Sequence, residues 1–451
     1  MQAIPASFRD RSGFVFKKDG EYLRSVHESY AEDYQHLIES GLYERLSKRK
    51  LLISHEELND VELPKETIAI LKPEQLSFIS YAYEWSFSMW KDAALCTLYN
   101  ALEAIHYGMI LKDANSYNIQ FFNGKPILID TLSFEMLDET KPWIAYRQFV
   151  EHFLSPLLLM HYNSTALHKM LIAFPNGIPL EVTKSLLPKK ARLNVNANLH
   201  IFLPAKYAAK EGDTQKEKSF SKQKLVNLLQ SLKSFVAGLD GAKEKTVWDD
   251  YYSNTILKDG YIEEKKKIVS SYLEGLECKV LLDLGANDGE FSMLKANTDT
   301  LVLASDMDRN CIEFLYKRLK QEKIRNIHPL ILDLTIPSPA LGWDANERDD
   351  FFNRAKPDVT MALALIHHLA IGNNVPLANI IQSLKRLSPY LILEFVDKKD
   401  EKVQVLLQNR EDIFHDYSLP HLKEQLSGHY EIMAEQALES TARHLLLLKR
   451  L

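Results

Sequence analysis

The stretch Val280-Leu-Leu-Asp-Leu-Gly-Ala-Asn-Asp-Gly-Glu-Phe-Ser292 is an apolar run that leads into a turn bracketed by two glycines. Such a run predicts a buried strand, and glycine lets a ligand approach the backbone without meeting a Cβ. A dinucleotide fingerprint places glycines at offsets 0, 2 and 5. Here Asn287 and Glu290 stand at the second and third of those positions, so a dinucleotide is not the expected ligand.

Acidic residues around this turn point to a ligand without phosphate. Asp288 and Glu290 place negative charge where a helix N-terminus would otherwise bind an anion. The second predicted strand ends at Asp306, whose carboxylate can accept hydrogen bonds from both hydroxyls of a ribose. The third ends at Asp333 and Leu334, where they can meet an adenine amino group. The pattern predicts a nucleoside that carries a cationic group.

The C-terminal half alternates short apolar segments with amphipathic ones. Alternation of this kind predicts a parallel sheet covered by helices on both faces, that is, a doubly wound, Rossmann-like α/β fold. Ligands of such sheets bind outside the carboxyl ends of the strands. A helix is predicted over 288–298, and two antiparallel strands end the chain. The parallel strands are predicted over 279–285, 300–306, 328–334, 358–365 and 390–396.

Four motifs in this order resemble those of class I S-adenosylmethionine-dependent methyltransferases. LLDLGANDG resembles the first motif, ASDMD the acidic loop, ILDL the adenine-side loop and DVTMALALIHHL the fourth motif. The resemblance implies S-adenosyl-L-methionine as cofactor, with Asp283 at its amino group and Asp306 at its ribose, where Asp308 is the alternative. The implied cofactor-binding residues are Asp283, Gly285, Ala286, Asn287, Gly289, Asp306, Met307, Asp333, Leu334, Ala362 and Leu363.

Methyl transfer from a sulfonium mainly requires alignment of the acceptor, and a general base is needed only if the acceptor must lose a proton. His367 and His368 follow the fourth strand and are candidate bases, with His368 favoured. Glu394, at the end of the fifth strand, is a further acid–base candidate. The alternatives are packing or capping roles for a histidine and a structural role for Glu394. No metal is expected, since no third ligand has suitable spacing.

A second pattern lies in the N-terminal half. A predicted helix leads to Asp113, Asn118 follows five residues on, and a hairpin over 123–124 leads to Asp130. This resembles the catalytic core of kinase-like phosphotransferases, which has the same D-x4-N spacing and a metal-binding Asp one hairpin later. The resemblance implies an α+β fold in which these three residues bind ATP and magnesium.

This second pattern departs from the kinase motifs. Leu111-Lys112 stands in place of His-Arg, and Thr131-Leu132 in place of Phe-Gly. No glycine-rich phosphate loop is present near Ser12-Gly13. The sequence therefore leaves open whether this half transfers phosphate or keeps the fold as a scaffold.

Over its whole length the chain resembles the bacterial nodulation-protein-type methyltransferases, through stretches such as SYAYEWSFSMWKDAAL and PWIAYRQFVEHFLSPL. This resemblance implies tailoring of a small molecule, a glycan or a lipid-linked sugar, but a fold or family does not fix the acceptor. Two alternatives stay open, a bifunctional methyltransferase and phosphotransferase, and a non-catalytic scaffold that binds S-adenosylmethionine.

Composition sets the domain count and excludes some partners. A chain of 451 residues predicts two domains, and a Lys-, Glu- and Ser-rich stretch divides them. We predict a kinase-like domain over 1–204, a linker with a helix over 205–245 and a methyltransferase domain over 246–451. In the region 248–252 we expect an aromatic lid or an N-terminal helix.

The net charge of −6 gives no reason to expect nucleic acid as a partner. Cys96, Cys278 and Cys311 lie far apart and predict neither disulfides nor a zinc site. No segment reads as a signal peptide or a membrane span, so a cytoplasmic protein is expected.

Overall fold

The computed structural model divides the chain into two compact units. Unit 1 comprises Met1–Glu244 and Pro339–Asp349, and unit 2 comprises Lys245–Ser338 and Asp350–Leu451. The residues that the structure describes are 3–59, 63–208, 221–244, 260–408, 411–439 and 441–451.

Unit 1 has an α+β fold, as predicted. A four-stranded antiparallel sheet in the order β1-β2-β4-β3 is followed by two two-stranded sheets, β5-β8 and β6-β7. The strands of this unit are β1 (Val15–Lys18), β2 (Glu21–His27), β3 (His55–Glu57), β4 (Thr67–Pro73), β5 (Met109–Leu111), β6 (Ile119–Phe122), β7 (Lys125–Leu128) and β8 (Phe134–Met136). Its helices are α1 (Ala31–Glu39), α2 (Leu42–Lys48), α3 (Phe87–His106), α4 (Tyr146–Phe149), α5 (Ser155–Tyr162), α6 (Met170–Ala173), α7 (Leu180–Leu186), α8 (Val195–Ala197), α9 (Leu203–Ala208) and α10 (Lys222–Ala237).

Helix α10 belongs to unit 1, whereas the sequence assigned it to a linker. It begins after Ser221, whose hydroxyl accepts from the Lys224 N–H at 3.4 Å, and its apolar face is buried. Where the chain continues past this helix, the Lys91 ammonium donates to the Leu239 carbonyl at 2.7 Å. The predicted lid or helix at 248–252 lies outside the described residues.

The segment Pro339–Asp349 also belongs to unit 1. In the chain it follows the strand Ile327–Ile331 of the C-terminal sheet. Glu347 accepts a charged hydrogen bond from Arg9 at 2.5 Å. The Arg348 guanidinium lies 3.6 Å from the centroid of the Tyr117 ring, which is a cation–π contact. The continuous domain predicted over 246–451 is therefore interrupted.

Unit 2 is built on one seven-stranded sheet in the order β11-β10-β9-β12-β13-β15-β14. Its strands are β9 (Val280–Leu284), β10 (Leu301–Asp306), β11 (Ile327–Ile331), β12 (Val359–Ala362), β13 (Tyr390–Val396), β14 (Tyr430–Ala437) and β15 (Arg443–Arg450). Its helices are α11 (Tyr261–Glu274), α12 (Arg309–Glu322), α13 (Phe351–Arg354), α14 (Leu377–Lys385), α15 (Glu401–Leu407) and α16 (Leu419–Leu426).

The first five strands of the sheet run parallel, and β15 and β14 close it in antiparallel pairing. Strands β10 and β11 lie on one side of β9, and the chain then crosses to β12 on the other side. This reversal is the topological switch point at which doubly wound sheets bind ligands. The predicted doubly wound, Rossmann-like fold is confirmed.

The helix predicted over 288–298 is wrong. The structure has one 3-10 turn there, Ser292–Lys295. The turn after β9 occupies the chain up to Gly289, which has φ +87°, and Asn297, with φ +58°, ends the segment. Both conformations are left-handed and cannot continue a right-handed helix, so any helix between them is confined to residues 290–296.

We predict that Gly289→Ala destabilises unit 2 by about 2–4 kcal/mol, because alanine is strained at positive φ and a tightly packed site resists added volume. A Cβ at this position would lie 2.6 Å from Leu315 Cδ1. Gly275→Ala is the matched control, since its backbone is helical and its nearest atom lies at 3.8 Å. Scanning calorimetry that gives equal melting temperatures for both variants would contradict this account of the turn.

Candidate functional site

A cavity in unit 2 opens at the carboxyl ends of β9, β10, β11 and β12, where the sheet topology predicts a ligand. Ten of the predicted site residues line it: Asp283, Gly285, Ala286, Asn287, Asp306, Met307, Asp333, Leu334, Leu363 and His368. Further lining residues that the sequence did not single out include Tyr261, Lys265, Phe291, Thr335, Asn373 and Arg443.

The turn after β9 is tied by hydrogen bonds to the end of β10. The N–H groups of Gly285 and Ala286 donate to the Ser305 carbonyl at 2.8 and 2.9 Å. Asn287 has φ +52°, a left-handed conformation that asparagine tolerates better than most residues, and its N–H donates to Asp306 Oδ2 at 2.9 Å. These bonds hold the backbone of the turn against the cavity.

Asp306 is half-buried, and its hydrogen bonds come from backbone N–H groups. Its Oδ1 accepts from the Asp308 N–H at 2.8 Å. Burial raises the pKa of Asp306 to about 6. Asp308, the alternative ribose residue, accepts from the Asn310 N–H at 2.8 Å and is the N-cap of α12. The geometry favours Asp306 because Asp308 does not line the cavity.

Asp283 is buried at the floor of the cavity. The Ser292 hydroxyl donates to its Oδ2 at 2.6 Å, and burial raises its pKa to about 6. On the other side, Asp333 Oδ1 accepts from the N–H and hydroxyl of Thr335 at 2.9 and 2.6 Å. Carboxylates thus stand at the ends of three adjacent strands.

The negative charge that the sequence places at the turn is partly neutralised in the structure. Glu290 is neutralised by Lys266 at 2.9 Å and Arg318 at 3.2 Å. Because the chain forms a single 3-10 turn rather than a helix after Gly289, the long helix whose N-terminus would bind a pyrophosphate is not formed there.

Four predicted site residues do not line the cavity: Gly289, Ala362, His367 and Glu394. Gly289 shapes the turn, and Ala362 is the buried last residue of β12. The His367 ring is wholly buried, and within the described part of the chain neither of its nitrogens has a hydrogen-bond partner.

The two histidines differ in their access to the cavity. The His367 and His368 ring centroids lie 4.1 Å apart, but only His368 lines the cavity. Burial lowers the pKa of His368 to about 4, and burial followed by the charge of His368 lowers the pKa of His367 well below its usual value. Both imidazoles are therefore neutral at pH 7, and of the two only His368 borders the cavity.

Glu394 is the centre of a buried ionic network. It lies 2.6 Å from the Lys265 ammonium, accepts from the Tyr261 hydroxyl at 2.8 Å and lies 3.3 Å from Arg443. Arg443 also forms two hydrogen bonds with Asp400, at 2.7 and 3.2 Å. Burial raises the pKa of Glu394, but Lys265 and Arg443 outweigh this and hold it below the usual value.

Sequence reasoning missed the partners of Glu394. Tyr261 and Lys265 share one face of α11 because they are four residues apart. Arg443 begins a strand that contains the apolar run Leu445–Leu448, which was a signal, since a fully buried arginine requires a paired acid. The sequence gave no means of joining these residues, because they lie far apart along the chain.

In unit 1 the structure brings the three predicted kinase-like residues into one cluster. Asp130 Oδ2 accepts from the Ser133 hydroxyl at 2.7 Å, and the Asn118 amide donates to the same hydroxyl at 3.4 Å. Burial and then the charge of Asp130 raise the pKa of Asp113. The Arg24 guanidinium lies 2.8 Å from Asp130 Oδ1.

Metal-ligand groups and membrane-spanning helices are both absent from the described residues. Among them there is no group of three or more His, Cys, Asp or Glu side chains arranged to hold a metal ion. No helix within the same residues is long and apolar enough to cross a membrane.

Fold and site together define unit 2 as a Rossmann-like α/β domain with an acidic ligand cavity at its switch point. The chain belongs to the family of nodulation protein NoeA. It is 31% identical over 459 residues to NoeA from Rhizobium meliloti (strain 1021), a match that covers 99% of this chain and 96% of that protein. No protein-family model matches the sequence.

Solved structures with lower similarity include two methyltransferases. A magnesium protoporphyrin IX methyltransferase from Synechocystis PCC 6803 with bound SAH is 16% identical, with a TM-score of 0.34, over 45% of this chain and 92% of that one. The N-methyltransferase NodS from Bradyrhizobium japonicum WM9 is 15% identical, with a TM-score of 0.32, over 43% and 98%.

We predict that Arg443→Met lowers the stability of unit 2 by about 3–5 kcal/mol, because it leaves Asp400 buried without its cation and Glu394 with Lys265 alone. Lys449→Met in the same strand is the control, since Lys449 is exposed. The melting temperatures measured by calorimetry should separate the two variants. A normal melting temperature for Arg443→Met would show that the network adds little to stability.

Proposed function

We propose that unit 2 is an S-adenosylmethionine-dependent methyltransferase whose acceptor is a small molecule, a glycan or a lipid-linked sugar. The observation that carries this proposal is the single cavity that gathers Asp283, Asp306 and Asp333 from three adjacent strand ends. Such an arrangement suits a nucleoside that bears a cationic group. The cofactor would supply a methyl group already activated by a sulfonium.

Each carboxylate has a role in this proposal. Asp306 accepts from the ribose hydroxyls, and Asp333 with Leu334 borders the adenine. Asp283 pairs with the amino group of the methionine tail. Their pKa values support these roles in part: burial raises those of Asp283 and Asp306 to about 6, so both are mostly ionised at pH 7 and attract positive charge.

The acceptor would enter beside His368. This ring lines the cavity together with Leu363, which follows β12, and Asn373. A neutral imidazole can take a proton from an acceptor hydroxyl or amine as it attacks. Glu394 has a different role in this proposal, since its carboxylate is already engaged by Lys265 and Tyr261.

We predict that S-adenosylhomocysteine binds to the purified protein, and that Asp306→Ala weakens binding about tenfold to hundredfold. The reason is the loss of charge-assisted hydrogen bonds to the ribose. Titration calorimetry measures both affinities. Asp299→Ala, which removes an exposed carboxylate on the loop before β10, should bind as the wild type does. Equal affinity in Asp306→Ala would contradict the assigned ribose site.

Transfer itself is tested by incubating the protein with methyl-labelled S-adenosylmethionine and an extract of cells, followed by mass spectrometry of labelled products. A labelled glycan or small molecule that is lost with His368→Ala would identify the acceptor and the base together. Binding of the cofactor without any labelled product would instead favour a scaffold that only binds it.

Phosphotransfer by unit 1 is a second candidate function. It is favoured by the convergence of Asp113, Asn118 and Asp130, which the D-x4-N spacing and hairpin predicted. The Arg24 guanidinium is the main obstacle, because it pairs with Asp130 at 2.8 Å. A magnesium ion at Asp130 would have to displace this ion pair, so metal and arginine compete for one carboxylate.

For this candidate, magnesium-dependent turnover of ATP is expected to fall at least about tenfold in Asp113→Asn and Asp130→Asn, because each would contact the transferring group or its metal. Asp19→Asn, in the exposed β1–β2 turn, should leave turnover unchanged. Release of radiolabelled phosphate from ATP measures this turnover. A wild-type protein that binds no nucleotide with magnesium would remove phosphotransfer from consideration.

A further inference from the structure

The last helical segment of unit 1 before residue 209 has an apolar outer face. This segment begins after Asn194, whose side chain caps it, and it passes through the π-helical turn Asn198–Phe202 into α9. Residues four apart lie on the same face of a helix. Val195, Leu199 and Leu203 therefore project from one face, and they span about 12 Å along the helix axis.

This face is exposed, although the opposite face is already buried in unit 1. On the buried side are His200 and Ile201, and the His200 ring is hydrogen-bonded to the Tyr146 hydroxyl at 2.7 Å. The exposed side chains form what we call the apolar patch: Leu193 (87% exposed), Val195 (79%), Leu199 (50%) and Leu203 (45%). A helix that is apolar on both faces is normally covered on both, so the apolar patch has the character of a binding surface.

The charged side chains around the apolar patch are all basic. Residues 182–206 contain no Asp or Glu, in a chain whose net charge is −6. The basic residues of this range are Lys184, Lys189, Lys190, Arg192 and Lys206, and none of them forms an ion pair with another described residue. The 3-10 turn Lys189–Leu193 packs against the π-helical turn. The Arg192 guanidinium lies 5.2 Å from the centroid of the Phe202 ring, which places this charge beside the patch.

We propose that the apolar patch and these basic residues bind the surface of a bilayer that contains anionic lipids. The leucine and valine side chains enter the boundary between headgroups and acyl chains, and the lysine and arginine side chains attract the lipid phosphates. Exposed aliphatic side chains bordered by basic ones are the combination by which helices lie in a membrane interface. Each basic side chain near an anionic surface adds to the attraction.

The composition of the surface favours a bilayer over a protein partner. Protein interfaces are enriched in aromatic residues and arginine and depleted in lysine, and their hot spots contain few leucines or valines. Here the exposed apolar side chains are all aliphatic, and lysines outnumber arginine among the basic ones. A lysine is a point charge on a flexible stem, which suits a fluid array of phosphates.

Attachment to a bilayer needs neither cofactor nor acceptor, so it does not depend on the proposed methyl transfer. Where both hold, the enzyme works at the surface in which lipid-linked sugars lie. Among the three proposed acceptor classes, a bilayer-bound enzyme therefore favours the lipid-linked sugar.

Sedimentation of the full chain with lipid vesicles tests the proposal without any variant. Vesicles of phosphatidylcholine and phosphatidylglycerol should bind the protein at least about tenfold more tightly than vesicles of phosphatidylcholine alone, because only the former attract the basic residues. Raising the salt from about 0.1 M to about 1 M, which shortens the Debye length from about 10 Å to about 3 Å, should weaken this binding. No binding to the anionic vesicles, or equal binding to both kinds, would overturn the proposal.

A pair of substitutions assigns the binding to the apolar patch. Leu193→Ser/Val195→Ser should weaken binding to the anionic vesicles at least about tenfold, since less apolar area enters the interface. Phe314→Ser/Val405→Ser is the matched control, because these side chains are also exposed but lie on α12 and α15 of unit 2. A patch variant that binds as tightly as the control would show that the patch does not enter the bilayer.

The basic residues have a test of their own. Lys189→Gln/Lys190→Gln should weaken binding to the anionic vesicles and leave binding to phosphatidylcholine unchanged. Lys17→Gln/Lys18→Gln, an exposed lysine pair in β1, should behave as the wild type does. Equal binding by the two lysine variants would contradict the assigned role of the basic residues.

A second copy of the chain is the competing occupant of the apolar patch. Analytical ultracentrifugation without vesicles should give the same mass for the wild type and for Leu193→Ser/Val195→Ser. A wild-type dimer that this variant dissociates, together with no sedimentation on anionic vesicles, would assign the patch to self-association and overturn the proposal.

Discussion

The architecture of the cavity depends on the hydrogen bonds that tie the turn after β9 to the end of β10. Two consecutive N–H groups, from Gly285 and Ala286, converge on the Ser305 carbonyl, and the next one binds the Asp306 carboxylate. These bonds satisfy backbone groups that would otherwise be exposed at a strand end. They also fix Asp306 in place before any ligand arrives, so a ribose would meet a preorganised acceptor.

Much of this unit was predictable from sequence because its signals are local. Apolar runs gave the strands, and the two glycines with an acid at each strand end gave the switch-point cavity. Two kinds of feature were not predictable. The 3-10 turn at Ser292–Lys295 lies in a segment that the left-handed residues Gly289 and Asn297 bound, and the Glu394 network joins residues that are up to 182 positions apart.

The domain boundaries were also not predictable from local signals in the sequence. The linker prediction relied on a Lys-rich composition, which could not show that α10 belongs to unit 1 and buries its apolar face. Nothing in the composition of Pro339–Asp349 marks it as part of unit 1 either. This segment belongs to unit 1 through individual contacts, such as that of Arg348 with the Tyr117 ring. Contacts between pairs of distant residues leave no periodic pattern in a sequence.

The two predicted sites differ in whether their key carboxylate already has a cationic partner. In unit 1 the acid at the metal-binding position, Asp130, is already paired with Arg24 and bound by Ser133. In unit 2 Asp306 accepts from the backbone, and among the described residues it forms no ion pair. Burying an unpaired carboxylate costs free energy, as the raised pKa of Asp306 records. A polar ligand that donates hydrogen bonds to Asp306 would recover that cost, whereas a cation at Asp130 would first have to displace Arg24.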